Sequence, residues 1–375
     1  MMDTLSQWNI FKETLPHQQL PYSKKNWGHP NHSLCSYQGK LKPAIAYNLV
    51  NIFVPQNGIM LDPFAGVGTI PFEAALNGRM AYGIDISPLA YIVSSAKIGR
   101  VNKEEITYYI EHLESSIEDF GITGEYVLQQ ANFGFNKKLG DYYHPETFRE
   151  LLILREYLLQ NPPTTPSQFL VCASLLHILH GNRPYALSRR SHPIIPYAPQ
   201  GDFEYKNVIE KLKEKVKRAV DAETSTTFHE GKVFQQDTLQ HWNDEINNLD
   251  AIITSPPFFD STKFSMANWI RLWFLGWDRE TFKNEPSKYV DEKQKHSLDV
   301  YIPIFEQAKE RLKTGGYFVL HLGKNDKCDM GVKLNKLAQK YFIHTDLFDE
   351  SVVDCQKFGI RDIGGVTAHE YLVCY

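Results

Sequence analysis

Between Leu249 and Thr262 the chain reads LDAIITSPPFFDST. An apolar run leads straight into Ser255-Pro256-Pro257-Phe258. A strand halted by paired prolines sets a hydroxyl, carbonyls of fixed direction and an aromatic ring at the mouth of a sheet. A second stretch, LDPFAGVGT, ends another strand at Asp62 and turns on Gly66 and Gly68. Glycine lets a backbone turn tightly and approach a ligand with no Cβ in the way. About twenty residues on, Asp85 ends the next strand, where a nucleotide-binding sheet offers a carboxylate to ribose hydroxyls. Asp237 ends a third strand and can accept from an adenine amino group. A lone GxG would serve turn geometry only; three acids at strand ends point to a bound ligand. The dinucleotide fingerprint wants a third glycine where Pro71 stands. The pattern therefore favours S-adenosylmethionine over a nicotinamide dinucleotide.

The elements that must position these residues follow from their flanks. PAIAYNLVNIFV opens with proline and has helical spacing. GIMLD and MAYGIDI read as strands, each followed by a helix, the second capped by Ser87 with Pro88 at its first position. Consecutive strand–helix units make a parallel sheet covered by helices. The rhythm stops over residues 100–227, where four helical stretches and a Pro- and Arg-rich loop follow one another. It resumes with GKVFQQD, LDAIITS, GGYFVLHLG and HEYLVCY as strands. The expected fold is α/β, a Rossmann-like, mostly parallel seven-stranded sheet. Residues 1–99 and 228–375 form the catalytic domain, with 1–36 as an arm lacking clear periodicity. Residues 100–227 form a mainly helical insertion.

The bulk properties narrow the class. A chain of 375 residues with 42% hydrophobic and 13% aromatic residues can bury a large core. The net charge of -4 excludes a chain-wide field for polyanions, so any nucleic-acid contact must use a local basic patch. The cysteines, Cys35, Cys172, Cys328, Cys355 and Cys374, form no CxxC pair and read as reduced thiols. The N-terminus lacks the pattern of a signal peptide. No apolar run reaches the roughly 18 residues of a membrane span. These features predict a soluble, cytoplasmic protein with no metal site.

LDPFAGVGT and TSPPFF together resemble the cofactor-binding and catalytic motifs of the amino-methyltransferases, which methylate exocyclic amines of DNA bases. TSPPF with serine is similar to the cytosine-N4 branch; adenine-N6 enzymes more often carry Asp or Asn at that position. SYQGKLKPAIAYNLV resembles the segment covering the methionine end of the cofactor, and GIDISPLA the ribose-binding strand end. The resemblance runs from about residue 35 to the end. It implies a class I methyltransferase fold and S-adenosylmethionine held by Tyr37, Lys40, Asp62, Phe64, Gly66, Gly68, Thr69, Asp85, Ile86 and Asp237. It implies catalysis by Ser255, Pro256, Pro257 and Phe258 on a base flipped from double-stranded DNA. Ser255 and the Pro256 carbonyl would accept from the amine, and Phe258 would stack on the ring. Phe258 stands where the family often has Tyr, which keeps stacking and loses a hydroxyl. The resemblance allows, without requiring, a separate restriction endonuclease as partner.

GNRPYALSRRSHP, also similar to a segment of bacterial DNA methylases, holds Arg183, Arg189 and Arg190 with no acid among them. Arginine serves phosphates and guanine edges alike. By analogy with the family, residues 100–227 would read DNA. His177 and His180 lie three apart on an apolar helix without a third ligand, so they read as core histidines. The competing readings are adenine-N6 or RNA methylation, a non-catalytic reader of DNA or cofactor, and a nicotinamide-dependent oxidoreductase, which Pro71 disfavours.

Overall fold

The N-terminal segment, which carries no clear period, folds as α1 (Thr4–Thr14). Asp3 caps it, accepting from Ser6 N at 2.9 Å. Only Trp8 and Phe11 of this helix are buried, too few to write a helical stripe. The computed structural model describes residues 2–24, 26–222, 226–260, 263–351 and 366–375. Cys355 lies outside them; the other four cysteines are free and buried.

After α2 (Pro43–Phe53) come β1 (Ile59–Asp62), α3 (Thr69–Leu76), β2 (Met80–Asp85) and α4 (Pro88–Ile98). Ser87 caps α4 as expected, accepting from Ala90 N at 3.4 Å. A helical stretch follows: α5 (Lys103–Asp119), α6 (Gly124–Ala131), α7 (Pro145–Gln160), α8 (Pro166–Ile178) and α9 (Val208–Val220). The chain returns to the sheet as β3 (Lys232–Gln235) and β4 (Leu249–Thr254). Four short helices come next: α10 (Phe264–Ala267), α11 (Trp269–Phe274), α12 (Arg279–Asn284) and α13 (Val290–Lys293). The last elements are α14 (Ile302–Arg311), β5 (Leu312–Asn325), β6 (Cys328–Asp329), α15 (Met330–Ala338), β7 (Thr345–Ser351) and β8 (Val366–Cys374).

The sheet runs β3-β2-β1-β4-β5-β8-β7, with β6 off this path against β5. The path has the seven strands expected; the two-residue β6 makes an eighth. From β3 to β5 all pairings are parallel, and β8 enters antiparallel between β5 and β7. This is a Rossmann-like α/β sheet whose strand order reverses between β1 and β4. A ligand crevice opens at such a switch point, beyond the carboxyl ends of the strands.

Alternate side chains serve opposite faces. Met60, Ala251, Ile253, Val319 and Val373 pack with α1 and α2. Leu61, Ile252, Phe318, Leu320 and Leu372 pack with α14 and α15. The largest apolar cluster belongs to the helical layer and joins α4 to α5, α7, α8 and α9. Trp269, Trp273 and Phe282, which follow the Ser-Pro-Pro-Phe stretch in sequence, complete it. The fully buried Arg271 ties α11 to α8, donating from Nε to Leu176 O at 3.1 Å. The helical layer therefore draws on residues well beyond 100–227. Among the described residues, no helix is long and apolar enough to cross a membrane.

Candidate functional site

The glycine turn is built as its sequence requires. Gly66 and Gly68 both take positive φ, +50° and +68°. A Cβ on Gly68 would lie 2.8 Å from Ser94 Cβ, so α3 can approach α4 only without one. A Cβ on Gly66 would meet nothing closer than the Tyr37 ring at 3.9 Å. The bare backbone of this turn thus faces Tyr37. Asp85 holds the turn to β2, its two oxygens accepting from Gly66 N at 2.8 Å and Ser87 N at 2.9 Å. Asp62 Oδ1 accepts from Phe64 N at 3.1 Å and from the Thr254 hydroxyl at 2.6 Å. Burial pushes the Asp62 carboxyl up to about 7 and the Asp85 carboxyl up to about 6. Burial, then the nearby Asp85, raises the Tyr37 phenol well above its ordinary range.

The Ser255–Phe258 stretch leaves β4 directly beside this turn. Leu61 pairs with Ile252 in register, so Thr254 falls one step past the level of Asp62, where its hydroxyl reaches the carboxylate. Ser255 Oγ lies 3.0 Å from His321 Nδ1. Pro256 is buried, and no donor among the described residues reaches its carbonyl. The buried Gln294 donates to Pro257 O at 3.0 Å and Phe258 O at 3.3 Å, while accepting from the Tyr301 hydroxyl at 2.9 Å. Asn325 fixes Phe259 O at 2.8 Å. The carbonyls of Pro257, Phe258 and Phe259 are thus committed, and that of Pro256 stays open. The half-buried Phe258 ring packs against His321 and so closely over Gly323 that a Cβ there would clash with it. One side of the ring is therefore occupied by β5, leaving at most one side for stacking.

The remaining expected residues fall in different places. Phe64 and Ile86 flank the turn and β2, half-buried, and Thr69 opens α3, buried. Lys40 donates to His32 O at 2.9 Å. Asp237 lies past the end of β3, accepts from Leu239 N at 3.0 Å and pairs with Lys293 at 3.5 Å. The arginines divide. Arg183 and Arg190 are exposed. Arg189 is half-buried and donates to Gly201 O at 2.7 Å and Asp141 O at 3.0 Å, with its guanidinium 4.4 Å over Phe203. It ties the loop to the helical layer. His177 sits between Ser36 N at 3.2 Å and the Tyr185 hydroxyl at 3.3 Å, and His180 bonds His192 O at 3.1 Å. These are the hydrogen bonds of packed histidines. Beside Phe259 an open groove of about 420 Å³ runs between Gln294–Asp299 and α15, carrying Lys295, His296, Lys333 and Lys336.

Sequence reasoning missed His321, Gln294 and Thr254. His321 left a trace, a lone imidazole inside the apolar run YFVLHL, which must find a buried partner. Gln294 left none, because it reaches the motif from an unrelated short helix.

Residues 30–115 match the family model UPF0020, described as RMKL-like, methyltransferase domain. That segment takes in Tyr37, Lys40, the glycine turn and Asp85. The chain is 26% identical over 148 residues to Type II methyltransferase M.MvaI of Kocuria varians, covering 38% of this chain and 32% of that protein. It is 24% identical over 325 residues to Type II methyltransferase M.BsoBI of Geobacillus stearothermophilus, covering 76% of this chain and 62% of that protein. The chain thus spans less than two-thirds of either relative. A TehB-like SAM-dependent methyltransferase from Corynebacterium glutamicum superposes with a TM-score of 0.33 at 8% identity, over 88% of this chain and 85% of that one. The chain is thus similar to a methyltransferase domain over residues 30–115 and, more distantly, to two Type II methyltransferases.

Proposed function

We propose that this protein methylates the exocyclic amine of a flipped DNA base, with cytosine N4 as the favoured position. One observation carries the reading. The Ser255-Pro256-Pro257-Phe258 stretch leaves β4 one hydrogen bond, 2.6 Å, from the carboxylate that braces the glycine turn. The residues present fit S-adenosylmethionine. The turn at Gly66 is bare beneath Tyr37. A carboxylate has about four acceptor sites, so Asp85 keeps capacity for ribose hydroxyls beyond its two backbone bonds. Tyr37, Lys40, Phe64, Gly68, Thr69, Ile86 and Asp237 would complete the cofactor's surroundings. When bound, the cofactor supplies an electrophilic methyl group.

The chain's own residues then act on the amine. Its nitrogen lone pair is delocalised into the base ring. Ser255 Oγ and Pro256 O accept its two hydrogens and draw the nitrogen toward sp³, exposing the lone pair. Because proline fixes the backbone, the Pro256 carbonyl holds its direction without reorganising. Phe258 offers its free side to the base, and Gln294 keeps the loop from shifting. Positioning and electrostatics suffice, with no strong base. Exposed Arg183 and Arg190, and the lysines of the groove beside Phe259, are the groups suited to backbone phosphates. Residues 100–227 are the proposed target-recognition region, and the protein would work in the cytoplasm, with or without a partner endonuclease.

The test is direct. The protein is incubated with S-adenosylmethionine and unmethylated DNA, which is digested and analysed by mass. N4-methylcytosine is expected. N6-methyladenine would keep the clamp and change the base. No methylated nucleoside in DNA or RNA, with cofactor bound, would overturn the reading in favour of a silent reader.

A further inference from the structure

His321 is the polar member of the strand face that otherwise packs with α1 and α2. It is 2% exposed. Its two ring nitrogens both have partners: Nδ1 lies 3.0 Å from Ser255 Oγ, and Nε2 lies 3.3 Å from His369 Nδ1. The ring is also packed among those of His369, Tyr371 and Phe258, with ring centroids 4.9, 5.1 and 5.6 Å away. The titratable groups around it are His369 and Tyr371 on β8, Glu350 on β7 and His17 from the N-terminal segment. Burial, then the neighbouring His369, holds the imidazole well below its ordinary pKa, while Glu350 opposes this more weakly. The ring is neutral at physiological pH, with one donor nitrogen and one acceptor nitrogen.

Two hydrogen-bond directions satisfy that ring, and they leave Ser255 in different states. If Nδ1 carried the hydrogen, it would consume a serine lone pair and leave the hydroxyl hydrogen loose in the target pocket. A loose hydrogen there would oppose the amine's own hydrogens. If Nε2 carries it, toward His369, then Nδ1 takes the serine hydrogen and both lone pairs of Oγ are free. Resting on the amine reading above, we propose that His321 is a positioning residue for Ser255. As the Nε2–H tautomer it accepts the Ser255 hydroxyl hydrogen, turning the oxygen's lone pairs toward the target amine, with His369 fixing the tautomer. No bond is made or broken at His321.

Two measurements on the full-length protein test this. Nitrogen NMR of labelled histidines should show His321 with hydrogen on Nε2 only, neutral at pH 6, and its Nδ1 signal should move in Ser255→Ala. A hydrogen on Nδ1, or titration alongside ordinary histidines, overturns the proposal. Kinetics give the second readout. His321→Leu should lower kcat roughly 10- to 100-fold, the scale of a misplaced catalytic group, with cofactor affinity unchanged. His321→Asn, which offers an amide oxygen near the Nδ1 position, should recover most of the loss. The double variant Ser255→Ala, His321→Leu should be no slower than Ser255→Ala alone, since one residue acts through the other. Folded His321→Leu with unchanged kcat, or an additive double variant, overturns the proposal. Failure of the amine reading shows separately, as absence of methyl transfer by the wild-type control, while the tautomer measurement still judges the histidine pair.

Discussion

Asp62 and Asp85 are both pushed by burial toward the neutral range, to about 7 and about 6. A ligand whose hydroxyls or ammonium group donate to them binds the ionised forms. Below these values the apo protein must first lose a proton, so cofactor affinity should fall as pH falls. The expected slope approaches tenfold per pH unit for each carboxyl the ligand engages. Calorimetry in buffers of different ionisation enthalpy should detect proton release near pH 6. Asp85→Asn should remove the share of that release that comes from Asp85, together with much of the affinity. Stability of the apo protein runs the other way. Both folded pKa values lie above the unfolded ones, so the stabilisation is complete below about 4 and is lost as pH rises through 6 to 7. Ligand should therefore raise the melting temperature more at about pH 8 than at about pH 5.5.

The two glycines of the β1–α3 connection separate stability from binding. Gly68→Ala places a methyl group 2.8 Å from Ser94 Cβ at a φ of +68°, so it should destabilise the fold by about 2–4 kcal/mol, read as a fall in melting temperature. Gly66→Ala meets only the Tyr37 ring, at 3.9 Å. It should cost stability about 1–2 kcal/mol for its φ of +50°, yet lower cofactor affinity more than Gly68→Ala does, as read by titration. Elements of this half were legible because strand, turn and helix each carry their own signals: Asp62, Gly66 and Gly68, then Ser87-Pro88. The helix Thr4–Thr14 was not, since two buried aromatics make no stripe and its cap, Asp3 with Ser6, precedes no apolar period. The insertion of β8 between β5 and β7 was not legible either, because strand order is decided by packing across the sheet. That placement brings His369 to His321, so the polar chain behind Ser255 was hidden with it.

For the whole molecule, a net charge of -4 makes any DNA affinity a local matter. Arg183→Ala with Arg190→Ala should weaken DNA binding, with cofactor affinity intact. The slope of log affinity against log salt should shrink by about 0.9 for each phosphate no longer neutralised. Unchanged affinity and slope in a filter or anisotropy assay would remove this loop from the interface. Arg189→Ala should behave differently, lowering stability by about 1–2 kcal/mol because it deletes two bonds to backbone carbonyls. Proximity in sequence groups the three arginines together. Their separation into two exposed groups and one internal tie depends on carbonyls of Asp141 and Gly201, outside the loop's own motif.

The hydrogen bond from Thr254 to Asp62 has a thermodynamic consequence. One carboxylate braces the turn of the proposed cofactor site and also anchors the end of the strand that leads into the proposed amine clamp. Whatever the first ligand does to that carboxylate is felt by the second, and equilibrium linkage makes the effect mutual: each must change the other's affinity by the same factor. Thr254→Val keeps the shape of the residue and deletes the bond. In that variant the two ligands should bind more nearly as strangers, with the cooperativity factor moving toward one even where each single affinity is little altered.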